Sequence, residues 1–172
     1  SAPGGQTWTM PVCLKANDGQ SRCEVMDQQQ QARSVPTCEN IFANADSLGY
    51  YLTEYTPDAV RALANNAAGL LPIERVSLLG DEWWMVQAGR HDIGVYLDLA
   101  AALADDETTA VTAAITTRLA FVGAYLVERD QQAHYQAWIR GRFGPALDAL
   151  GLPGTVRDTD ERHSRRAELL DL

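Results

Sequence analysis

The stretch TPDAVRALANNAAGLLPIERVSLLGDEWWMVQAGR, residues 56–90, decides the fold class. It holds two helix starts built the same way. Thr56-Pro57-Asp58 sets a capping hydroxyl, a proline that needs no helical N–H and an acidic residue in order, and Leu71-Pro72 repeats the proline device. Behind the first start Val60, Leu63 and Ala67 share one helical face, which predicts a helix to about Gly69. Behind the second, Val76, Leu79, Trp83 and Val86 form an apolar stripe that Gly89 ends.

Toward the C-terminus the helical period persists. Asp92 caps a third helix carrying Val95, Leu99 and Leu103. Asp105-Asp106-Glu107 sets negative charge at the start of a fourth, expected to reach about Arg129. A fifth is expected from about Gln131 to Leu150, broken at Gly144-Pro145 because proline removes a donor and crowds the previous turn. Asp158 or Thr159 caps a sixth, which ends Glu168-Leu169-Leu170-Asp171-Leu172 with no polar capping repeat behind it, as if the chain stopped early. Helices paired through short connections predict a bundle or an α-solenoid; no repeat of fixed period is present, so the solenoid reading rests on helix order.

Upstream of Thr56 the pattern changes. The runs from Thr7 to Leu14, Arg22 to Met26 and Gly49 to Tyr55 are short and rich in aromatic or β-branched residues, and predict strands. Asn17-Asp18-Gly19 predicts the turn between the first two. The chain is therefore mainly α with an N-terminal β portion.

Composition narrows the function. At 46% hydrophobic and 22% charged, 172 residues suffice for one good core or two small ones. A net charge of -9 without a basic stripe argues against nucleic acid, and no apolar run approaches the ~20 residues of a bilayer span. Cys13, Cys23 and Cys38 match no metal-site spacing. Cys13 and Cys23 can face each other across the hairpin as a disulfide, leaving Cys38 free and favouring a periplasmic or secreted setting; three reduced, half-buried thiols are the alternative.

No catalytic or metal constellation emerges. His91, His134 and His163 are scattered, none is followed by Glu, and none has a second His four residues on. The cysteines stand in strand-like context without a helix start to activate a thiolate. The acidic clusters at residues 105–107 and 158–161 stand at helix starts, where capping explains them. Trp83 and Trp84 read as packing, one inward and one against the next helix, rather than as a ligand platform.

Several motifs, taken in order, carry a resemblance. Trp8-x-Met10-Pro11-Val12 resembles the W-x-I-P strand of the aminopeptidase N family. Asn44-Ala45-x-x-x-Gly49-Tyr50-Tyr51-x-x-x-Tyr55 is similar to the closing strand of that family's β-sandwich, N-x-x-x-x-G-Y-Y-R followed by a Tyr. Glu74-Arg75-x-x-Leu78-Leu79-x-Asp81 resembles its D-R-x-x-L-L-x-D helix, and Ala88-Gly89-Arg90 its A-G-R terminus. Leu97, Leu99 and Glu107 continue the match, as do Pro145 with Leu150-Gly151, and Asp160 with Arg165 or Arg166 and Leu169-Leu170. Leu52 and Glu74 depart from the usual Arg and Asp, which puts in doubt any charge pairing the usual Arg makes.

The resemblance implies a four-domain zinc enzyme that removes N-terminal residues from peptides. Residues 1–55 would be the second part of its β-sandwich, and residues 56–172 the first part of its ERAP-like helical C-terminal domain. The zinc, its ligands and the general base would belong to a catalytic domain outside this sequence. The chain would have no catalytic or metal residue and would be inactive alone. With that catalytic domain as partner, its helices would close the active site and shape a chamber for peptide substrates. The motif residues read as structural: Gly49 at the entry to the core, Tyr50 and Tyr51 on alternate faces, Arg75 and Asp81 as ties between helices. An interrupted sandwich also predicts self-association through an exposed strand edge. The rival reading is a non-enzymatic α-solenoid that binds a protein or peptide on its concave face.

Overall fold

Elements form where local signals and burial agree. The computed structural model describes residues 8–16, 19–32, 34–35, 39–151 and 158–172. Thr7, the Asn17-Asp18 pair and Cys38 lie outside them. Strands β1 (Met10–Lys15) and β2 (Ser21–Met26) pair antiparallel, with Met10 opposite Met26 and Cys13 opposite Cys23. At their turn Gly19 has φ +71°, a conformation glycine adopts freely, and its N–H donates to Ala16 C=O at 2.9 Å. Cys13 and Cys23 are joined by a disulfide. A lone bridge between Lys15 and Phe42 extends the sheet by one residue pair, with both N–H···O bonds at 2.8 Å.

The expected strand from Gly49 to Tyr55 does not form; the segment is irregular and joins no ladder. Side chains take the place of strand partners. The Tyr51 hydroxyl donates to Ala43 C=O at 2.7 Å, and Ala43 N–H donates to the Tyr55 hydroxyl at 2.8 Å. Both backbone groups of Ala43 are thereby satisfied without a neighbouring strand.

Among the described residues six helices follow: α1 (Pro57–Asn65), α2 (Pro72–Gln87), α3 (Ile93–Ala102), α4 (Thr109–Tyr125), α5 (Gln132–Leu150) and α6 (Asp160–Leu170). Thr56 caps α1 through Ala59 N–H, Asp92 caps α3 through Gly94 N–H, and Thr159 caps α6 through Arg162 N–H. Three helix limits differ from expectation. α1 stops at Asn65, because the Asn66 amide donates to Ala62 C=O and a 3-10 turn follows over Ala67–Gly69. α4 begins after Thr108, whose N–H donates to the Asp106 carboxylate at 2.9 Å, and ends at Tyr125, where Gln132 Nε2 donates to Gly123 and Val127 C=O. α5 runs unbroken through Pro145: Ile139, Phe143, Ala146 and Leu150 are buried on one face spanning the proline, and their packing holds both halves in register.

Within this body α2, α4 and α6 stack in succession, while α1 packs on α3 and α5 on α6. One core runs through them, from Phe42, Val60 and Leu63 through Leu79, Tyr96, Ile115 and Leu119 to Phe143 and Leu169. Trp83 enters it, with its ring against Tyr96 and Phe121. Trp84 is 56% exposed, because adjacent positions on a helix point about 100° apart and only one can follow the buried stripe.

Candidate functional site

The polar chemistry concentrates where residues 39–55 meet α2. Pro72 fixes the first turn of α2 and places Glu74 at its third position, where an acidic side chain favours the helix dipole. Glu74 is wholly buried and fully satisfied. Its Oε2 accepts from Lys15 Nζ and from Leu71 N–H, both at 2.7 Å, and its Oε1 accepts from Asp46 N–H at 2.9 Å. One carboxylate thus ties β1, the 44–49 loop and α2 together. Removing either charge would leave the other buried and unpaired, a cost of about 3–5 kcal/mol.

The loop is folded by a second clamp. Asn44 Nδ2 donates to Gly49 C=O at 3.0 Å and Gly49 N–H donates to Asn44 Oδ1 at 2.8 Å, while Asp46 and Ser47 turn the chain with φ of 59° and 52°. A Cβ on Gly49 would lie 2.0 Å from the Tyr51 ring, so glycine is required for that tyrosine to reach Ala43. Tyr50, its neighbour, is fully exposed.

The next turns of α2 hold the residues that lead into α1. Asp81, 5% exposed, accepts from Thr53 N–H at 3.0 Å. Burial pushes its carboxyl up to about 6 against the opposing Thr53 bond. One residue on, buried Glu82 faces His91, whose Nδ1 lies 3.0 and 2.9 Å from the two carboxylate oxygens. Burial raises the Glu82 carboxyl, and the imidazole opposes the rise. His91 Nε2 lies 4.0 Å from Glu54. Gly89, at φ +66°, turns the chain so that Arg90 grips Glu54: Nε donates to Oε1 at 2.9 Å and Nη2 to Oε2. That grip holds the Glu54 carboxyl below the usual range.

Two further arginines serve the helical body. Arg75 Nε lies 2.6 Å from Asp106, and its Nη1 donates to Leu70 C=O, binding the start of α2 to the turn before α4. Arg166 forms a two-pronged pair with Asp158 at 2.7 and 2.9 Å and donates to Gly151 C=O at 2.7 Å, which anchors α6 to the end of α5.

Of the residues singled out by sequence, Asn44, Gly49, Tyr51, Tyr55, Asp81, Gly89 and Arg90 meet at this joint. Arg75 ties two helical elements, but Asp81 ties α2 to Thr53 rather than to another helix. Trp8, Pro11 and Tyr50 are exposed and lie outside the joint. Lys15, Glu54, Glu82 and the Arg166–Asp158 pair were not foreseen. Only Glu74 carried a local signal, as an acidic residue three positions after the Leu71 N-cap.

The joint's groups are spent on one another. Among the described residues no set of three or more His, Cys, Asp or Glu side chains could hold a metal ion. No helix of the described residues is long and apolar enough to cross a membrane. Chemically, this arrangement orients: it fixes the N-terminal segment on the helices through charges and directed hydrogen bonds.

Comparison with known families matches residues 40–172 to the ERAP1-like C-terminal domain, a span that begins before the first helix and includes the joint from Asn44 onward. The chain therefore belongs to the ERAP1-like C-terminal domain family and corresponds to the C-terminal region of an aminopeptidase-family protein.

Proposed function

We propose that this chain is the non-catalytic C-terminal portion of a zinc aminopeptidase, in which the stacked helices close the active site and shape the chamber that receives peptide substrates. The observation that carries the reading is the family match, which covers joint and helices as one span. The joint supports it physically. A domain that closes over a distant catalytic centre needs a fixed orientation relative to the segment entering it, and Glu74, Asp81 and Arg90 supply three polar attachments along that entry. The catalytic domain would be the partner, and the zinc, its ligands and the general base would reside there.

Zinc content and aminoacyl-anilide hydrolysis, measured on this chain and on the full product of its gene, test the proposal. The chain alone is expected to show neither, and the full product both. Stoichiometric zinc with turnover in the chain alone, or their absence from the full product, would overturn it.

A further inference from the structure

We propose that the outward face of residues 48–56 is a docking edge for an extended segment that carries lysine or arginine among apolar residues, supplied by the part of the parent protein outside this chain. The inference rests on the reading of the chain as one portion of a larger protein, and it names where the other portion attaches. Exposure alternates residue by residue from Leu48 to Thr56, the period of a β-strand, although the segment joins no ladder. The inward set is pinned: Gly49 to Asn44, Tyr51 and Tyr55 to Ala43, and Thr53 to Asp81. Those bonds hold the outward set, Leu48, Tyr50 and Leu52, in water, with Tyr50 fully exposed. Ser47 Oγ donates to Ile73 C=O at 3.2 Å, which brings exposed Ile73 of α2 beside the row.

Backbone groups are left over as well. Within the described residues, the Thr53 N–H is the one backbone group from Tyr50 to Tyr55 that makes a hydrogen bond. Successive residues of an extended chain point their N–H and C=O groups to opposite edges, so those of Tyr50, Leu52 and Glu54 lie on the edge away from Asp81. A pre-set extended segment with an unpaired edge and apolar residues at alternate positions accepts a further strand through main-chain bonds, while side chains supply the specificity.

Charge selects the occupant. Beside the segment lies a groove of about 650 Å³, walled by residues from 39–43, from 53–56 and from α1. Its charged lining residues are Glu39, Glu54 and Asp58, with no lysine or arginine. Arg90 and Arg61 bind Glu54 and Asp58 but do not line the groove. A second copy would bring the same carboxylates and a further net charge of -9 to this face, whereas a basic segment meets it with complementary charge.

The test compares amide hydrogen exchange at Leu52 and Glu54, corrected for intrinsic rates, between this chain and the full product of its gene. Both amides are expected to exchange at least about a hundredfold more slowly in the full product. Tyr50→Lys combined with Leu52→Lys, at two exposed positions, is expected to leave the urea midpoint of this chain unchanged and to abolish the added protection in the full product. Asp58→Lys is expected to cut that protection about tenfold. Equal exchange in the two proteins overturns the proposal. So does protection that appears in this chain as its concentration rises, which makes a second copy the occupant. Protection that survives the double variant, or that Asp58→Lys leaves untouched, overturns it too. Zinc and turnover are read from the same full product: their presence without added protection sinks this surface alone, and protection without them sinks the enzyme reading alone.

Discussion

The hairpin-bearing segment before Thr56 and the helical body after it reach order by different physics. The helices share a continuous apolar core in which no single contact dominates, and their polar side chains mostly cap or bridge helix ends. The earlier segment buries few large side chains, Phe42 foremost, and is held by discrete attachments: one disulfide, one buried ion pair and a handful of side-chain-to-backbone bonds. Diffuse packing degrades gradually under substitution. Directed polar contacts fail one at a time, and each failure leaves a buried partner unsatisfied.

Glu74→Ala is the substitution most able to break this contrast. It strands Lys15 and orphans two backbone donors, and is expected to cost about 3–5 kcal/mol. The contrast requires local release, with the hairpin losing hydrogen-exchange protection while far-UV circular dichroism reports intact helices. If the helical transition in urea falls by the same amount, the two regions are one cooperative unit. Leu79→Ala, at a fully buried core position of α2, is expected to cost about 3 kcal/mol, and here the whole helical transition should shift.

Cys23→Ser is expected to cost about 2–3 kcal/mol, as loop closure over a separation of ten residues implies. Its effect sharpens the comparison if proteolysis between residues 9 and 35 accelerates while the helices resist. Tyr50→Ala is expected to change stability by less than about 0.5 kcal/mol in a denaturant titration, because the side chain is fully exposed despite its place in the recognised motif. Its neighbour Tyr51 carries the contact to Ala43. A large loss at Tyr50 would mean that the exposed side chain has an unrecognised role in the fold.

Where the sequence reading succeeded, the cause was local. Thr56-Pro57, Leu71-Pro72, Asp92 and Thr159 start helices through bonds made within three residues, so each start could be read without knowing the fold. Where it failed, the deciding partner was distant. The segment from Gly49 to Tyr55 has strand-like composition, yet its tyrosines satisfy Ala43 and its Thr53 finds Asp81, 28 residues away. Pro145 carries a strong helix-breaking signal that buried neighbours on both sides override. Lys15 gave no sign of its pairing with Glu74, 59 residues on.

The sequence by itself determined the mainly helical class, the helix starts and the family resemblance, because caps, periodicity and ordered motifs are properties of neighbouring residues. Only the tertiary structure decided which carboxylates became buried, which cations met them and which backbone groups were left for side chains to satisfy. Those outcomes depend on desolvation and on contacts between residues far apart in the chain, quantities that no local window contains.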